Sequence, residues 1–599
     1  MHGPGNSETP ADSVFAARVA QQAFGPDGDP AAASLGAAME GLGRAEVLAG
    51  IAQSTPVRAR SPLLPGLFPD IPPDDPVAYA FWIAAHDIMP PNAASRIVPL
   101  TGPRVSLIMR AGDSEVEAAL RSAASLQAQV HEDWQLCLAC QLRSPWPRRA
   151  ITALAGADPR IVLIDVPPTT PAVDTLNHAL AARAGAIVGL LEPGDTLPPT
   201  ALHEALLAFD PNVMLVFTDE DQADPAGYRT APRFKPDYSA DAMQAADVIG
   251  QLALYRTELI EAIGGLRSEA AYDLARRASS LAGARRIRHV PAMLYHRATP
   301  PQPGPAAAFP SAPADPLPLV TVILPTRDRA DLLATSAWGV LRGTDYSALE
   351  LIVVDNGSTD PAALALLTEI GADPRAEVLP FPGAFNFPAM NNAAARRARG
   401  QVLLLLNNDV ELIDPGWLRA MVAHAIRPDV GAVGARLLYR DGSLQHGGMA
   451  LGPAGRATHL LRGAPRDAPG YLGQLASVRD LSAVTAACLA IRADVWAQVG
   501  GMNERLPVAW NDVDLCQRIR AAGLRVIWTP HAVLLHLEGE TRGEDAADPA
   551  RQARFLADQA LYREIWGSAA DMDPFLNPNL IAGDHQLVLA PPRRARPWQ

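Results

Sequence analysis

The sequence is short of lysine, cysteine and long apolar runs, and each shortage excludes a class of protein. Lys235 is the single lysine among 51 basic residues, so arginine carries almost all of the positive charge. With a net charge of −13, the chain lacks the basic surface that broad nucleic-acid binding requires. Only 4 cysteines occur in 599 residues, which excludes a disulfide-stabilised fold and fits a reducing compartment.

The N-terminus shows no signal-peptide pattern, and no apolar stretch approaches the roughly 20 residues that cross a bilayer. These absences predict a cytoplasmic protein, with peripheral contact to the inner face of the plasma membrane left open. Cys137 and Cys140 form a C-x-x-C pair that could serve zinc or redox chemistry. They lie inside a strand-like run without a second Cys or His pair, so we interpret them as structural residues.

What the sequence does contain is an alternation of short apolar strands and amphipathic helices that occurs twice. A length of 599 residues exceeds one hydrophobic core and predicts two or three domains. The strand–helix rhythm begins near residue 101, stops at a proline-rich linker and then restarts. The predicted parts are a helical region (1–100), an α/β domain (101–298), the linker (299–318), a second α/β domain (319–545) and a helical tail (546–599).

The two α/β segments correspond piece by piece, which indicates an internal repeat. V-S-L-I-M-R from residue 105 matches V-T-V-I-L-P from 320, and W-Q-L-C-L-A-C from 134 matches L-E-L-I-V-V-D from 349. I-V-G-L-L-E-P-G-D from 187 matches V-L-L-L-L-N-N-D-V from 402, and A-Y-D-L-A-R-R from 271 matches D-V-D-L-C-Q-R from 512. We therefore predict the α/β class, with two tandem copies of one mostly parallel sheet.

The apolar run from Val402 to Leu406 breaks abruptly into Asn407, Asn408 and Asp409. Such a run predicts a strand buried on both faces, and ligands of open α/β sheets bind beyond the carboxyl ends of such strands. Asp409 is therefore well placed to hold a divalent cation against a phosphate. Taken alone, the same residues also fit a turn rich in Asn and Asp.

A set of motifs in the second copy, taken in order, resembles family 2 glycosyltransferases of the GT-A fold. The motifs are V-I-L-P-T-R-D-R, V-V-D-N-G-S-T-D, F-N-F-P-A-M-N-N-A-A, L-L-N-N-D-V-E, Q-H-G-G, A-W-N-D-V-D-L-C and H-L-E-G-E-T-R-G. The tail segment D-P-F-L-N-P-N-L resembles the C-terminal signature of bacterial rhamnosyltransferase-like and O-antigen enzymes. The resemblance implies two GT-A domains, each with a Rossmann-like, mostly parallel mixed sheet.

For the second copy, the resemblance implies a nucleotide-sugar site with Mn²⁺ or Mg²⁺ as cofactor. Asp409 and His536 match metal-binding positions, although Asn407 replaces the first carboxylate of the family's D-x-D motif. A lone histidine after a strand is otherwise ordinary. Asp512 matches the catalytic base that deprotonates the acceptor hydroxyl, with helix capping as the alternative role. Asp514 is interpreted as a structural partner.

The remaining candidate residues are expected around the same cleft. Those on the donor side are Pro325, Thr326, Arg327, Asp355, Asn391, Asn392, Asn407 and Asn408, and those on the acceptor side are Gln445, His446, Trp510 and Asn511. The Asp355 carboxylate can accept hydrogen bonds from a nucleobase or ribose, and an Asx turn is the alternative. The Trp510 ring can stack on a sugar or pack in the core.

In the first copy, the positions that carry chemistry are replaced together. The replacements, from second copy to first, are Asp355 to Cys140, Asp409 to Gly194 and Asp512 to Ala271. Because the strands are kept while these groups are lost, we predict a folded but inactive copy. Glu192 and Asp195 leave open a residual cation site there.

Lys235, in F-K-P-D of the first copy, suggests a further hypothesis. The first copy could still hold an anionic ligand, a sugar or the growing acceptor through this lysine and its acidic neighbours. The alternative is a Lys–Asp pair on a surface hairpin. Loss of acceptor affinity or of folding yield in Lys235→Ala would separate a functional lysine from an accidental one.

The sequence thus predicts an inverting, metal-dependent glycosyltransferase that moves a sugar from a nucleoside-diphosphate donor to a glycan or lipid-linked acceptor. The resemblance places this activity in bacterial surface polysaccharide synthesis. A nucleotidyltransferase is a rival, but it would need a Gly-rich basic signature that P-T-R-D-R does not match. A non-catalytic scaffold that binds nucleotide sugars or glycans is the second rival, and it would not need Asp409, Asp512 and His536 together.

Overall fold

The computed structural model describes residues 72–90, 93–98, 100–301, 316–453, 455–537, 549–583 and 585–598. Residues 1–71 of the predicted helical region and residues 302–315 of the predicted linker lie outside the described residues. The described part of the N-terminal region contains helix α1 (Pro76–Trp82) and two short helical turns at Ile83–Asp87 and Ala93–Arg96.

Eight strands form a first mixed sheet between residues 105 and 297. The strands are β1 (Val105–Gly112), β2 (Trp134–Gln141), β3 (Ile161–Asp165), β4 (Ile187–Leu190), β5 (Leu215–Ala223), β6 (Arg229–Arg233), β7 (Ala253–Arg256) and β8 (Ile287–Arg297). Their order is β3-β2-β1-β4-β7-β5-β6, and β8 also pairs with β5. Strands β1 to β4 are parallel, whereas β7 runs antiparallel to β4 and β5.

Helices of the first domain connect these strands and cover the sheet. They are α2 (Val116–Gln127), α3 (Pro145–Ala157), α4 (Ala172–Ala181), α5 (Ala201–Leu206), α6 (Ala240–Ala245), α7 (Thr257–Ala262) and α8 (Ala271–Ala282). The two hydrophobic clusters of this domain share alternate residues of the same strands, because successive strand side chains point to opposite faces.

Ten strands form a second mixed sheet between residues 320 and 536, beside a separate hairpin of β16 and β17. The strands are β9 (Val320–Thr326), β10 (Leu349–Asp355), β11 (Ala376–Pro380), β12 (Val402–Leu406), β13 (Val410–Leu412), β14 (Val430–Leu438), β15 (Leu444–His446), β16 (Met449–Gly452), β17 (Arg456–His459), β18 (Arg479–Asp480), β19 (Cys488–Arg492) and β20 (Arg525–His536). The helices are α9 (Ala330–Gly343), α10 (Pro361–Gly371), α11 (Phe387–Ala395), α12 (Trp417–Ala425), α13 (Ala493–Val499) and α14 (Asn511–Ala521).

The second sheet repeats the strand order of the first. Its order β11-β10-β9-β12-β19-β14 corresponds to β3-β2-β1-β4-β7-β5, with one antiparallel strand, β19 or β7, in the same place. Strand β20 runs parallel to β14 as β8 runs parallel to β5. The prediction of mixed, mostly parallel α/β sheets is confirmed, and the internal repeat extends from the sequence motifs to the topology.

Strand β12 shows why the central strands read as unbroken apolar runs. All five of its side chains are buried. Leu403 and Leu405 join the hydrophobic cluster on one face of the sheet, while Val402, Leu404 and Leu406 join the cluster on the other face. Full burial of each such side chain contributes about 1.5–3 kcal/mol, so both faces hold the strand in register.

The predicted helical tail is a helix followed by a β-hairpin. Its elements are α15 (Pro549–Trp566), β21 (Leu580–Ala582) and β22 (Leu587–Leu589). Asn577 lies between helix and hairpin, and its Nδ2 donates to Asp219 Oδ2 and to the Lys235 carbonyl, both at 2.8 Å. The tail of the chain is therefore bound to the first domain. Among the described helices, none combines the length and apolar content needed to cross a membrane.

Charged side chains also join the two domains directly. Asp241 at the start of α6 accepts a hydrogen bond from Arg427 Nη1 at 2.7 Å and pairs with Arg525. The same Arg525 guanidinium donates to both carboxylate oxygens of Asp480 at 2.7 Å. Because Asp480 and Arg525 belong to adjacent strands of the second sheet, the network fixes the first domain against that sheet edge.

Candidate active site

A cavity of about 610 Å³ opens at the carboxyl ends of β9, β10 and β12. These parallel neighbours end at one edge of the sheet, so segments far apart in sequence meet there. The cavity is lined by Pro325, Thr326, Arg327, Asp328, Arg329, Asn356, Ala384, Phe385, Phe387, Met390, Asn407, Asn408, Asp409, Pro507, Val508 and Arg554. Its volume falls in the range of about 300–1,000 Å³ that is usual for small-molecule sites.

The turn after β12 is held in place by hydrogen bonds to its neighbours. Asn408 Nδ2 donates to Thr326 Oγ1 at 3.1 Å, which links the ends of β12 and β9. Ser336 Oγ, on helix α9, bonds the carbonyl oxygens of Asn408 at 2.7 Å and Val410 at 2.6 Å. The turn therefore carries Asp409 to the cavity on a fixed backbone.

Asp409 faces a histidine whose ring orientation is set by a glutamine. Asp409 Oδ1 lies 3.1 Å from His536 Nε2. His536 Nδ1 lies 2.7 Å from Gln445 Oε1, and Gln445 Nε2 donates to the His536 carbonyl at 3.5 Å. Since the amide oxygen can only accept, Nδ1 carries a proton, and Nε2 faces the carboxylate. A proton or a cation between Nε2 and Oδ1 is needed to make this contact favourable.

The residues around this contact fit a divalent cation. Asn407 Nδ2 lies 3.4 Å from His536 Nε2, so an amide, an imidazole and a carboxylate converge. Two neighbouring ligands of one octahedral ion are about 3 Å apart, as Asp409 Oδ1 and His536 Nε2 are. In the described part of the chain no three His, Cys, Asp or Glu side chains gather at one point, so the amide would have to supply the third donor.

Asp512 lies one backbone segment away from this cluster. Its Oδ2 accepts from the Ala486 amide at 3.2 Å, and its Oδ1 accepts from the Val513 amide at 2.9 Å. The Ala487 carbonyl accepts from the Asn407 amide at 3.0 Å, so residues 485–487 touch both groups. Asp512 does not itself line the cavity. Burial raises the pKa of the Asp512 carboxyl above its usual value, although these hydrogen bonds lower it.

Asp514 serves the helix rather than the cavity. Its Oδ2 accepts from Arg518 Nε at 2.9 Å, and its Oδ1 accepts from Trp566 Nε1 at 3.0 Å. The same guanidinium donates to the carbonyls of Val499 and Gly501 at 2.6 Å each. Asp514 thus joins helix α14, the preceding loop and the tail, which is the structural role predicted for it.

Three of the predicted donor-side residues lie outside the cavity lining. Asp355 Oδ1 accepts from the Ser358 amide at 2.9 Å and from Ser358 Oγ at 2.6 Å, which is the Asx-turn alternative. Asn391 Nδ2 donates to the Phe387 carbonyl one helical turn back, at 2.8 Å. Asn392 is bonded at 2.9 Å to the backbone of residue 502 and to a glutamate beyond it. All three hold turns or helices in place.

Two of the residues expected on the acceptor side pack in the interior. Trp510 is 7 % exposed, its Nε1 donates to the Gly455 carbonyl at 3.1 Å, and its ring lies 4.4 Å from that of Phe555. Asn511 Nδ2 donates to the Leu506 carbonyl at 3.3 Å. Core packing is therefore the observed environment of the Trp510 ring.

His446 lies closer to the chemistry than these two residues. Its Nε2 accepts from the Thr485 amide at 3.3 Å, and its Nδ1 lies 2.9 Å from His459 Nδ1. Burial lowers the pKa of His446 well below its usual value, so the ring is neutral. Thr485 precedes the segment that binds Asp512, which makes His446 a support for that segment.

Several cavity residues were not singled out from the sequence. Asn356 is 2 % exposed, and its Oδ1 has no hydrogen-bond partner among the described residues. Asp328 and Arg329 follow the predicted P-T-R and adopt positive φ angles of 54° and 49°. Arg554 comes from α15, beyond the predicted domain boundary. The V-V-D-N-G motif could have indicated Asn356, whereas no local pattern connects Arg554 to the cavity.

Residues 321–477, which supply most of this cavity, match the sequence model of Glycosyl transferase family 2. The chain carries a family 2 glycosyltransferase domain. The resemblance inferred from the ordered motifs is thereby confirmed.

Three relatives of the family 2 domain extend the comparison. The uncharacterized protein y4gI of Sinorhizobium fredii is 35% identical over 541 residues, which cover 82% of this chain and 59% of that protein. The O-antigen biosynthesis protein RfbC of Myxococcus xanthus is 34% identical over 559 residues, covering 85% and 43%. The N-acetylglucosaminyl-diphospho-decaprenol L-rhamnosyltransferase of Mycobacterium tuberculosis is 27% identical over 272 residues, covering 41% and 86%. The chain spans about half the length of the first two.

Among solved structures, the mannosyltransferase PcManGT from Pyrobaculum calidifontis in complex with GDP-Man and Mn²⁺ is 22% identical. The alignment covers 43% of this chain and 69% of that chain, with a TM-score of 0.31.

The first domain has different chemistry at the edge that corresponds to the family 2 cavity. Burial raises the pKa of Cys137 to about 11 and that of Cys140 to about 12, so both thiols stay protonated, as expected of structural cysteines. Asp195 accepts from Tyr295 Oη at 2.6 Å and from the Ala298 amide at 2.7 Å. Its carboxylate therefore fixes the end of β8.

Lys235 is buried, which corrects both predictions made for it. Its side chain is 1% exposed, and Nζ donates to the carbonyls of Thr218 at 2.7 Å and Ile249 at 2.8 Å. Its ionic partner is Glu220, at 3.1 Å, rather than an aspartate on a surface hairpin. With three donors and three acceptors, the ammonium has no donor left for a ligand. Desolvation lowers the pKa of Lys235.

Proposed function

We propose that this protein is an inverting glycosyltransferase that transfers a sugar from a nucleoside-diphosphate donor to a glycan or lipid-linked acceptor of bacterial surface polysaccharide. The observation that carries the proposal is the Asp409–His536 contact at the cavity, one backbone segment from the Asp512 carboxylate. The family 2 match and the printed names of two relatives, an O-antigen biosynthesis protein and a rhamnosyltransferase, support the reaction class.

The donor would lie along the cavity from Asn356 to Asp409. The unpartnered Asn356 Oδ1 can accept a hydrogen bond from the nucleobase or ribose, on a turn that Asp355 stabilises. Arg329 and Arg554 bring positive charge to the cavity wall, where a diphosphate carries negative charge. These contacts bind and orient the donor before any bond changes.

A divalent cation, Mn²⁺ or Mg²⁺, would be held by Asp409 and His536 with the Asn407 amide oxygen as a third donor. When bound, such an ion neutralises charge that develops on a leaving diphosphate. Gln445 accepts the His536 Nδ1 proton and so keeps Nε2 turned toward Asp409. This support from a second residue keeps the imidazole in one tautomer and one orientation.

Asp512 would act as the general base. It takes the proton of an acceptor hydroxyl as that oxygen bonds to the anomeric carbon, while the bond from this carbon to the diphosphate breaks. Attack from the side opposite the leaving group inverts the anomeric configuration. Burial raises the pKa of Asp512, which makes the carboxylate a stronger base than an exposed aspartate. General-base assistance contributes about 10²–10⁴-fold.

Two measurements test the proposal. Thermal shift with a panel of nucleoside diphosphates should show stabilisation that depends on Mn²⁺, about 2.7 kcal/mol at a hundredfold excess over Kd. Donor hydrolysis should occur with wild-type protein and disappear with Asp512→Asn. Nucleotide binding without any turnover, in wild type as in the variant, would support the scaffold instead. Absence of both binding and turnover would refute the proposal.

A further inference from the structure

A second cavity, of about 250 Å³, lies where the two domains and the tail meet. The first domain contributes Arg233 to its wall, the second domain contributes Gln474 and Arg479, and the tail contributes Asn577. No residue of the donor cavity lines it. The site is therefore distinct from the family 2 cavity and exists only when all three parts are assembled.

Arg479 is a buried cation on this wall without an anionic partner. It is 6 % exposed, and its Nη1 donates to Gln474 Oε1 at 3.1 Å. Within the described residues no carboxylate lies within 4.0 Å of the guanidinium, and Nε has no hydrogen-bond partner. Burial lowers the pKa of Arg479 to about 10, although Asp480 and Asp573 raise it from a greater distance. A buried charge without a partner is costly, so its presence requires an explanation.

The other charges on the wall are compensated by protein groups. Lys235 and Arg233 both lie 3.1 Å from Glu220, and Asp480 is paired with an arginine of β20. Asp247 accepts from two backbone amides, and Asp237 is half exposed beside a histidine. Among these groups Arg479 is the cation that the wall leaves uncompensated.

Gln474 adds a second donor that lacks an acceptor. Because Gln474 Oε1 accepts from Arg479, the amide orientation is fixed and Nε2 must point away from the guanidinium. Nε2 is buried and has no hydrogen-bond partner in the described part of the chain. Two adjacent groups on one wall thus offer hydrogen bonds, and both need an acceptor that the protein does not supply.

We propose that this interdomain cavity binds an oxyanion, a carboxylate or phosphate group on a molecule no larger than a monosaccharide, through Arg479 and Gln474. An anion compensates the guanidinium, and its oxygens accept from both donors. The size follows from the volume, which lies below the range of about 300–1,000 Å³ for larger ligands. Two sources share this chemistry: a free phosphate-like anion and an acidic sugar of a glycan.

The test compares inorganic phosphate and glucuronate as probes on the full chain, with NaCl added to equal ionic strength. Arg479→Gln removes the charge, and Arg466→Gln removes an exposed arginine of the same domain as a control. A tenfold excess over Kd should raise the Tm of wild type and control by about 3 °C. The shift should vanish in Arg479→Gln, whose Tm without anion should equal or exceed that of wild type. A response to phosphate alone indicates a free anion, and a response to glucuronate indicates an acidic sugar.

Equal shifts in wild type and Arg479→Gln, or no shift in wild type with either probe, would overturn the proposal. If Arg479→Gln does not fold, Arg479→Lys decides, because it keeps the charge and loses the planar fork. Its apparent affinity should fall about tenfold, and an unchanged affinity counts against the site. Asp409→Asn should leave the shift intact, which separates this site from the donor cavity.

Discussion

At the amino-terminal ends of the central strands, the two domains make the same hydrogen bonds. In the first domain, Ser106 Oγ donates to Gln135 Oε1 and accepts from the Gly185 amide, both at 2.9 Å. In the second, Thr321 Oγ1 makes the equivalent bonds at 2.6 and 2.9 Å, to Glu350 and Gly400. A Cβ at either glycine would lie 2.5 Å from backbone, so both domains need glycine there.

The helices α8 and α14 extend the comparison to the edge of the site. Asp273 accepts from Arg277 Nε at 2.8 Å, as Asp514 accepts from its own arginine at 2.9 Å. Both guanidiniums also donate to two carbonyls of the preceding loop. Two residues before these aspartates the domains part, with Ala271 in one and Asp512 in the other.

The difference separates support from chemistry. Bonds that hold strands, loops and helices together occur in both domains, whereas the candidate metal ligand and the candidate base occur only in the second. In the first domain Ser122 Oγ still accepts from the Gly194 amide at 2.9 Å, so the turn that corresponds to Asp409 is held without its carboxylate. A residue present in both copies is thus explained by folding, and one present in a single copy is a candidate for function.

The largest effect is expected from Asp512→Asn in the second domain. The amide keeps the shape of the side chain and cannot take a proton, so transfer should fall by about 10²–10⁴-fold while donor affinity is kept. Steady-state kinetics with donor titration provide the measurement. An amide at the corresponding position of the first domain, Ala271→Asn, is the matched control and should leave transfer unchanged. An unaltered rate in Asp512→Asn would remove the distinction between the copies.

The next largest effect concerns stability and the first domain. Lys235→Met leaves Glu220 buried with fewer partners, which should lower the free energy of unfolding of that domain by about 3 kcal/mol. Arg276→Met, at a partly exposed arginine, is the control and should cost less than about 1 kcal/mol. Denaturant unfolding monitored by circular dichroism measures both. Wild-type stability combined with weaker acceptor binding would instead favour the ligand-binding hypothesis for Lys235.

Asp409→Asn should weaken the dependence on metal. Loss of a carboxylate ligand should reduce Mn²⁺-dependent transfer by about 10²-fold, equivalent to about 3 kcal/mol. Wild-type protein treated with a chelator should behave in the same way and recover when Mn²⁺ is returned. Glu192→Gln, at the equivalent edge of the first domain, should not alter the Mn²⁺ titration. If it does, the first copy also holds a cation.

The shared helix pair offers a smaller effect that both domains should show. Asp514→Asn weakens the bond to Arg518 in a buried setting and should cost about 2 kcal/mol. Asp273→Asn acts on a more exposed pair and should cost at most about 1 kcal/mol. Thermal unfolding measures the loss, and the pH dependence of transfer should stay that of wild type. A shifted pH profile in Asp514→Asn would give Asp514 a part in the chemistry.

The smallest effect expected is a gain in stability from Asp512→Asn at neutral pH. A carboxyl whose pKa is raised by folding costs stability above its ordinary pKa, where the unfolded chain ionises freely, and costs nothing below it. The variant should therefore melt above wild type at pH 7, and the difference should close as the pH falls below the ordinary pKa of aspartate. A variant that melts below wild type at pH 7 would contradict the raised pKa.

Much of the fold could be predicted because its signals are local. The buried run Val402–Leu406 and the helix Asn511–Ala521 have the bounds that the sequence indicated. The hairpin of the tail was not predicted, since two strands of three residues leave almost no periodic pattern. For the site, motifs indicated Asp409 and its neighbours. They could not show that Asp355 would be bonded to Ser358, because a side chain's partner depends on the turn around it.

The sequence by itself determined the class of each domain, the repeat and the loss of three chemical groups from the first copy. These follow from residue type and spacing, which need no distant contact. Only the tertiary structure decided that Lys235 is a buried structural cation, that Arg554 reaches the donor cavity from the tail, and that Arg479 faces an interdomain cavity without a carboxylate partner. Burial and pairing of a charge depend on segments hundreds of residues away, and the free energy of a charge is set by those neighbours.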